Sequence, residues 1–323
     1  MNDRCRMTGC AAQDLKYSES PMEPLELPRL LLVVTLLVTS CSVGWAEESG
    51  EDDLLQLSRG AVILAHTGQY DEKFPANALI DGRVRDYWAS SRRNSKGFRP
   101  ESFIIELDRP YRIHRLAVNN FDNDEMQYPG VSAKVVRFSG STESSNGKWR
   151  LLGVVEGLKF ARSEKVLEQP GVARWLKVEV LSNHGHPRYT EISELEAYGV
   201  PLAEKPLPGI DPSGIYSTNY GLLLLKVEGE RVEGCYEMDD GYVRGTTDGR
   251  VFNLEWVEHR GEEKGRAVLV LASTGFLNGL WYERDMLMGP WFGNKLPPQE
   301  GIDCDPRINA AKSGVRVDSV LGR

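Results

Sequence analysis

The side chains most able to do chemistry in this 323-residue chain sit in three short polar segments. The densest reads Ser182-Asn183-His184-Gly185-His186-Pro187-Arg188-Tyr189. Arg presents a planar fork of donors to paired oxygens, His donates or accepts, and Tyr offers a ring face with a polar tip. Ser91-Arg92-Arg93-Asn94 and Asn119-Asn120-Phe121-Asp122-Asn123 carry the same types. As a group these segments suit a polar ligand; taken singly, each residue reads rather as solvated surface than as a ligand contact. His184 and His186 can face one Zn²⁺, but zinc takes three or four ligands and no cysteine is nearby, so a zinc site is disfavoured. HExxH, GxSxG, a P-loop and a Rossmann glycine set are all absent, and Asp239-Asp240 before Gly241 reads as turn chemistry. The pattern points to binding and not to an enzyme.

The elements that must position these loops read as β throughout. Phe103–Leu107, Leu116–Val118, Lys134–Phe138 and Trp149–Val155 are short apolar runs bounded by Pro, Gly, Asn and Asp. Trp175–Leu181 alternates, with Leu176, Val178 and Val180 on one face and Lys177 and Glu179 on the other. Asp108-Arg109-Pro110, Ser145-Asn146-Gly147 and Asn183-His184-Gly185 supply turns. These strands fill a first domain over 54–200. Four prolines in 201–212 make a semi-rigid linker. Residues 213–294 then read as a second, up-and-down meander closing into a small barrel. There the pattern glycine-x-aromatic occurs at Gly214-Ile215-Tyr216, Gly234-Cys235-Tyr236, Gly279-Leu280-Trp281 and Gly289-Pro290-Trp291. Glycine lets a strand bend or approach a neighbour, and the aromatic shares its face, so Tyr216, Tyr236, Trp256, Trp281 and Trp291 are expected to plug the interior. Residues 295–323 form a tail.

The motifs Ala78-Leu79-Ile80-Asp81-Gly82-Arg83-Val84-Arg85-Asp86-Tyr87-Trp88-Ala89-Ser90, Pro100-Glu101-Ser102-Phe103-Ile104-Ile105-Glu106-Leu107 and Glu194-Leu195-Glu196-Ala197-Tyr198-Gly199 follow one another in that order. This resembles the discoidin, or coagulation-factor type C, domain, a galactose-binding-like β-sandwich (jelly roll). The resemblance implies an all-β fold in which loops at one end hold a sugar, an aromatic ring lying against its apolar face. Arg92, Arg93, Asn120, Asn123, Asn183, His184, His186, Arg188 and Tyr189 are the ligand-binding candidates. It also implies a structural Ca²⁺ between the Asp-Gly loop and the last strand. Asp81 matches the loop aspartate, Glu194 the final-strand glutamate, and Asp86 stands where Thr or Ser is usual. Ca²⁺ takes about six to eight oxygens, which carboxylates and loop carbonyls supply. Arg83 replaces a frequent Asp, and a salt bridge from Arg83 to Asp81 is the competing reading.

Leu30–Val38 reads LLLVVTLLV, too short to span a bilayer but of the length of a secretory apolar core, so 1–46 is read as an export segment. Met7 and Met22 are alternative starts to Met1. Val38-Thr39-Ser40-Cys41 resembles a bacterial lipobox, in which Cys41 is lipidated; Gly44-Trp45-Ala46 offers an ordinary signal-peptidase site instead. Export leaves Cys235 and Cys304 in an oxidising compartment, where they can pair as a disulfide. With 39 Lys plus Arg against 47 Asp plus Glu, the chain lacks the basic footprint of a nucleic-acid binder. The expectation is an exported envelope protein, an outer-membrane lipoprotein or else a secreted one, whose first domain recognises a glycan or another envelope component. A protein–protein adaptor, a carrier of an apolar ligand in the barrel, and an unrecognised enzyme are the alternatives.

Overall fold

Among the described residues, eight strands build the first half of the molecule: β1 (Val62–His66), β2 (Trp88–Ala89), β3 (Glu101–Asn119), β4 (Ala133–Ser141), β5 (Arg150–Glu156), β6 (Arg162–Asn183), β7 (Glu191–Ile192) and β8 (Glu194–Pro201). The structure is a computed structural model that describes residues 51–91, 99–203 and 209–298. The main sheet runs β1-β3-β6-β4-β5, with β8 on the far part of β3, and β2 pairs with β7. The alternation read at 176–180 holds: Leu176, Val178 and Val180 are fully buried, while Lys177 and Glu179 pair outside at 3.0 Å. Trp88 packs edge-on against Phe103 beneath them.

Asp108-Arg109-Pro110 is not the turn expected. β3 continues through it, and its register with β6 shifts between Glu106 and Tyr111. Proline lacks an N–H and is tolerated at such a bulge. The Asp108 carboxylate accepts from Arg109 Nε at 2.7 Å and from the Tyr111 hydroxyl at 2.8 Å, which satisfies the polar groups in place. Before the bulge β3 pairs with β1 and β6; beyond it, with β8 and β6. One long strand thereby serves both layers of the sandwich.

The second half is a closed barrel of β9 (Gly214–Thr218), β10 (Gly221–Glu228), β11 (Arg231–Tyr236), β12 (Gly241–Thr247), β13 (Val251–Glu258), β14 (Glu263–Leu271), β15 (Phe276–Glu283) and β16 (Met286–Lys295). Each strand pairs with the next, and β16 returns to β9. Inward aromatics face glycines across the ladder: Tyr236 opposite Gly241, Trp256 opposite Gly265, Trp281 opposite Gly289, and Trp291 opposite Gly279. A Cβ on Gly241 would lie 2.1 Å from the Tyr236 ring, and one on Gly265 would lie 2.6 Å from Trp256, so only glycine leaves room. Tyr236 meets Trp291 at 4.9 Å and Trp256 meets Trp281 at 5.4 Å, both edge-on. The barrel is filled by its own side chains, which removes the support for an apolar cargo. Cys235, on β11, is disulfide-bonded; Cys304, its expected partner, lies outside the described residues, as does Cys41.

Sandwich and barrel share one core. Val251, Val270, Ala272, Leu280 and Tyr282 point out of the barrel and pack with Leu57, Ile63, Leu79 and Leu107 of the sandwich. Two polar knots cross the same boundary. Asn77 and Asn278 exchange amide hydrogen bonds at 2.7 and 3.1 Å, and Asn278 Nδ2 also donates to Ile63 O. Glu106, with no exposed surface, accepts from Arg250 Nη1 at 3.0 Å and from the Ser273 hydroxyl at 2.7 Å.

Candidate functional site

The 183–190 loop leaves β6 and returns through β7, so its position is set by sheet pairing at both ends. Asn183 staples it: Nδ2 donates to His186 O and Tyr189 O, both at 2.8 Å, and Oδ1 accepts from Gly185 N at 3.0 Å. Gly185, at φ +109, supplies the left-handed bend. The loop after β3 is tied in the same way. Buried Asn120 donates to Ala133 O and Leu158 O; buried Asn123 donates to Glu191 O and accepts from the Ser193 hydroxyl. His184 Nε2 lies 2.9 Å from Gly157 O. Four of the expected ligand-binding residues, Asn120, Asn123, Asn183 and His184, therefore spend hydrogen-bonding groups on the loops themselves. Arg92 and Arg93 lie outside the described residues.

The remaining three candidates gather on the surface. The His186 ring stacks on Tyr189 at 5.5 Å and 16°, with Nδ1 accepting from Tyr189 N at 2.9 Å, and Arg188 beside them is exposed. Two aromatics that sequence reasoning missed join them. Tyr128 stands edge-on to His186 at 6.0 Å and to Tyr189 at 6.1 Å, and Tyr70 meets Tyr189 at 5.5 Å. Tyr70 is 49% exposed and Tyr128 37%. Their only sequence signal was a tyrosine in a segment punctuated by Gly68 and Pro75, or by Pro129 and Gly130. The acids beneath are held differently. Burial pushes the Glu191 carboxyl up to about 7; the Asp124 N–H, which donates to it, opposes the rise, while the charges of Asp124 and Glu125 add to it. Burial also raises Glu125, but the N–H groups of Gly130 and Ser132 and the Lys159 ammonium outweigh it and hold it below the usual range. Such a surface offers ring faces, a guanidinium and acceptors to a hydroxyl-rich ligand.

The Asp81, Asp86 and Glu194 set lies elsewhere, under the barrel. Asp81 sits between the other two. Arg83 N donates to Asp81 Oδ1 at 2.9 Å and to Glu194 Oε1 at 2.7 Å, and the barrel's Tyr282 hydroxyl donates to Asp81 Oδ2 at 3.1 Å. Burial drives the Asp81 and Glu194 carboxyls well up; Glu194 partly opposes the rise at Asp81 while Asp86 adds to it, and Asp81 adds to the rise at Glu194. Glu194 Oε2 is buried with no hydrogen-bond partner. An enclosed pair of carboxylates with an unanswered oxygen fits a hard cation. Asp86 fits less well, because Arg83 Nε holds its Oδ2 at 2.9 Å. Arg83 thus bridges to Asp86 and Asp285, and not through its guanidinium to Asp81 as the competing reading had it. Among the described residues, the trio whose metal-binding atoms all lie within 4.8 Å of one another is a different one, Asp239, Glu258 and His259 at the barrel rim.

Residues 91–201, about a third of the chain, match the Sad1/UNC-like C-terminal family. No curated protein matches significantly. Similar solved structures include the C-terminal domain of a chitobiase from Bacteroides fragilis (21% identity, 47% of this chain and 100% of that one, TM-score 0.39). A family 32 carbohydrate-binding module from Streptococcus pneumoniae EndoD is 17% identical over 46% of this chain and 99% of its own, with a TM-score of 0.37. A family 32 module from Clostridium perfringens NanJ, in complex with galactose, is 16% identical over 45% and 98%, also at 0.37. Over residues 91–201 the β-sandwich that forms the first half of the molecule is similar to the Sad1/UNC-like C-terminal domain.

Proposed function

We propose that the chain is a non-catalytic glycan-binding protein whose sugar site is the loop end formed by Tyr70, Tyr128, His186, Arg188 and Tyr189. The observation that carries this reading is the exposed aromatic array itself. Aromatic rings left half in solvent on loops that are otherwise tightly hydrogen-bonded provide a preformed platform for the apolar face of a pyranose. The buried asparagines pre-organise that platform, which lowers the ordering cost of binding. The barrel, filled and docked, acts as a structural support. A glycan microarray probed with the intact mature protein checks the reading: retention of specific oligosaccharides is expected, and a blank array over neutral and acidic glycans contradicts it.

The same proposal places Ca²⁺ at Asp81 and Glu194, as a structural ion that would neutralise two enclosed carboxylates. It also places the protein in a bacterial envelope, exported by Leu30–Val38 and anchored through an acylated Cys41. A single chain anchors weakly whereas two or three hold firmly, at about 0.8 kcal/mol per buried methylene. Growth with a radioactive fatty acid is expected to label the wild type and not Cys41→Ala. An unlabelled wild type beginning at Glu47 contradicts the anchor.

A further inference from the structure

A second feature of the surface lies where the barrel's last hairpin meets the sandwich. Arg284 and Asp285 join β15 to β16 at φ +46 and +67, the two-residue turn whose twist suits a hairpin. The turn lands on the Asp81–Trp88 segment. Arg83, Arg85 and Arg266 all reach the Asp285 carboxylate, at 2.9, 2.7 and 3.1 Å. Beside this knot opens a cleft of about 440 Å³, lined by Lys73, Phe74, Arg85, Tyr87, Arg284 and Met286 among others.

The charge balance of the cleft is opposite to that of the chain. Among the residues that line it, Lys73, Arg85 and Arg284 stand beside Asp86 and Asp285, an excess of one cation in a chain whose net charge is -8. The Lys73 ammonium has no ion-pair partner among the described residues. The Arg284 side chain, 85% exposed, touches Glu283 at 3.5 Å. Arg85 is 57% exposed and keeps donors open to solvent beyond its bonds to Asp285. Exposed cations with donors still open to solvent, on an otherwise acidic molecule, attract an anion.

The floor of the cleft is aromatic and continuous with the loop end. Phe74 and Tyr87 lie 5.0 Å apart at 35°, and Phe74 meets Tyr70 at 6.0 Å. Through Tyr70 the rings run on to Tyr189 and Tyr128. A chain of rings leading from the proposed sugar platform into a basic cleft suits a ligand longer than one sugar. We infer that the cleft is an anionic subsite, which takes the carboxylate or sulfate group of an acidic pyranoside in the same glycan. Phe74 and Tyr87 face its ring, while Lys73, Arg85 and Arg284 meet its charge. The inference rests on the glycan reading above and adds the chemical class of the ligand. It also gives the barrel a share in recognition, since Arg284 belongs to it.

The test uses the intact mature protein and three probes in calorimetric titrations: a galacturonic acid tetramer, a sulfated galactan tetrasaccharide, and neutral galactotetraose. The double variant Lys73→Ala/Arg284→Ala removes two exposed cations that take no part in the Asp285 knot, so its melting temperature serves as the control for folding. One acidic probe or both are expected to bind at least about tenfold tighter than the neutral one, by charge-assisted hydrogen bonds. That preference is expected to shrink with added salt and to vanish in the double variant. Which acidic probe binds separates carboxylate from sulfate. Equal affinity for acidic and neutral tetrasaccharides, or a preference that survives in the double variant, overturns the subsite while leaving the loop-end site standing. Failure of all three probes, together with a blank glycan array, overturns both.

Discussion

Glu106→Ala is expected to cost about 3–5 kcal/mol, the range for removing one member of a buried ion pair. For a unit of this size that lowers the melting temperature by on the order of 10 °C. Glu106 has no exposed surface and anchors the barrel to the sandwich: Oε1 accepts from Arg250 Nη1 and Ser273 N, both at 3.0 Å, and Oε2 from the Ser273 hydroxyl at 2.7 Å. Arg174 stands 3.7 Å away. Buried Arg174 Nε and Arg250 Nη2 already lack hydrogen-bond partners, so loss of the carboxylate deprives two largely buried guanidiniums of the counter-charge they share. Burial alone would raise the Glu106 carboxyl, but Arg250 and Ser273 outweigh it and hold it below the usual range. A carboxyl depressed on folding contributes stability above its unfolded value and loses it as pH falls through the folded one. The gap between wild type and variant should therefore be full at neutral pH and narrow in acid. Calorimetric melting at both pH values checks this; a variant that melts with the wild type at pH 7 contradicts it.

Calcium is expected to raise the melting temperature of the wild type and leave Glu194→Gln unmoved. A ligand present at a hundredfold its dissociation constant adds about 2.7 kcal/mol by linkage. The increment has a pH signature. Burial and the neighbouring Asp86 push the Asp81 carboxyl up to about 8, although its hydrogen bonds with Glu194 and the Tyr282 hydroxyl partly oppose this. A carboxyl raised on folding has its stabilising effect in full below its unfolded value and loses it as pH rises through the folded one. A cation takes the place of the proton, so the gain from Ca²⁺ should grow as pH rises toward about 8 and be accompanied by proton release. Melting curves with Ca²⁺ and with chelator, at pH 5 and pH 8, measure it. An increment that is absent, or that persists in Glu194→Gln, removes the ion from the account. Because the Tyr282 hydroxyl donates to Asp81 Oδ2, any such ion would also brace the seat of the barrel.

Period-two alternation made the end of β6 legible, because at 176–180 one face is core and the other paired charge; the largely exposed first half of β6 carries no such period. The plugged barrel was legible as well, since a glycine beside an aromatic at strand spacing has few other uses. β3 was not, because Asp108-Arg109-Pro110 has turn chemistry and a bulge uses the same residue types. The docking of the barrel was hidden for a different reason. Toward the sandwich, β14 and β15 are apolar on both faces, one filling the barrel and the other meeting the sandwich, and a sequence does not say what lies on the far side. Nothing in the run Phe103–Leu107 marked Glu106 out; its partner Arg250 is 144 residues away. In the candidate site the residue types were legible and their directions were not. Asn120, Asn123 and Asn183 are suited to a sugar, yet irregular loops have backbone groups to satisfy, and those amides turn inward to do it. Tyr70 and Tyr128 went unread because a lone tyrosine in a polar loop carries no period.

The loop-end sugar site is tested most directly by calorimetric titration of an oligosaccharide retained on the array into three proteins: the wild type, Tyr189→Ala and Asn120→Ala. Tyr189 lies at the centre of the ring array, so its removal is expected to weaken binding at least about tenfold, the loss of an aromatic contact together with its buried area. The fold should be untouched, since the ring is only partly buried. Asn120→Ala is expected to lower the melting temperature, because its amide ties the loop to Ala133 and Leu158. Loss of affinity in Tyr189→Ala at an unchanged melting temperature is the predicted result; full affinity in that variant would place the sugar elsewhere and contradict the assignment.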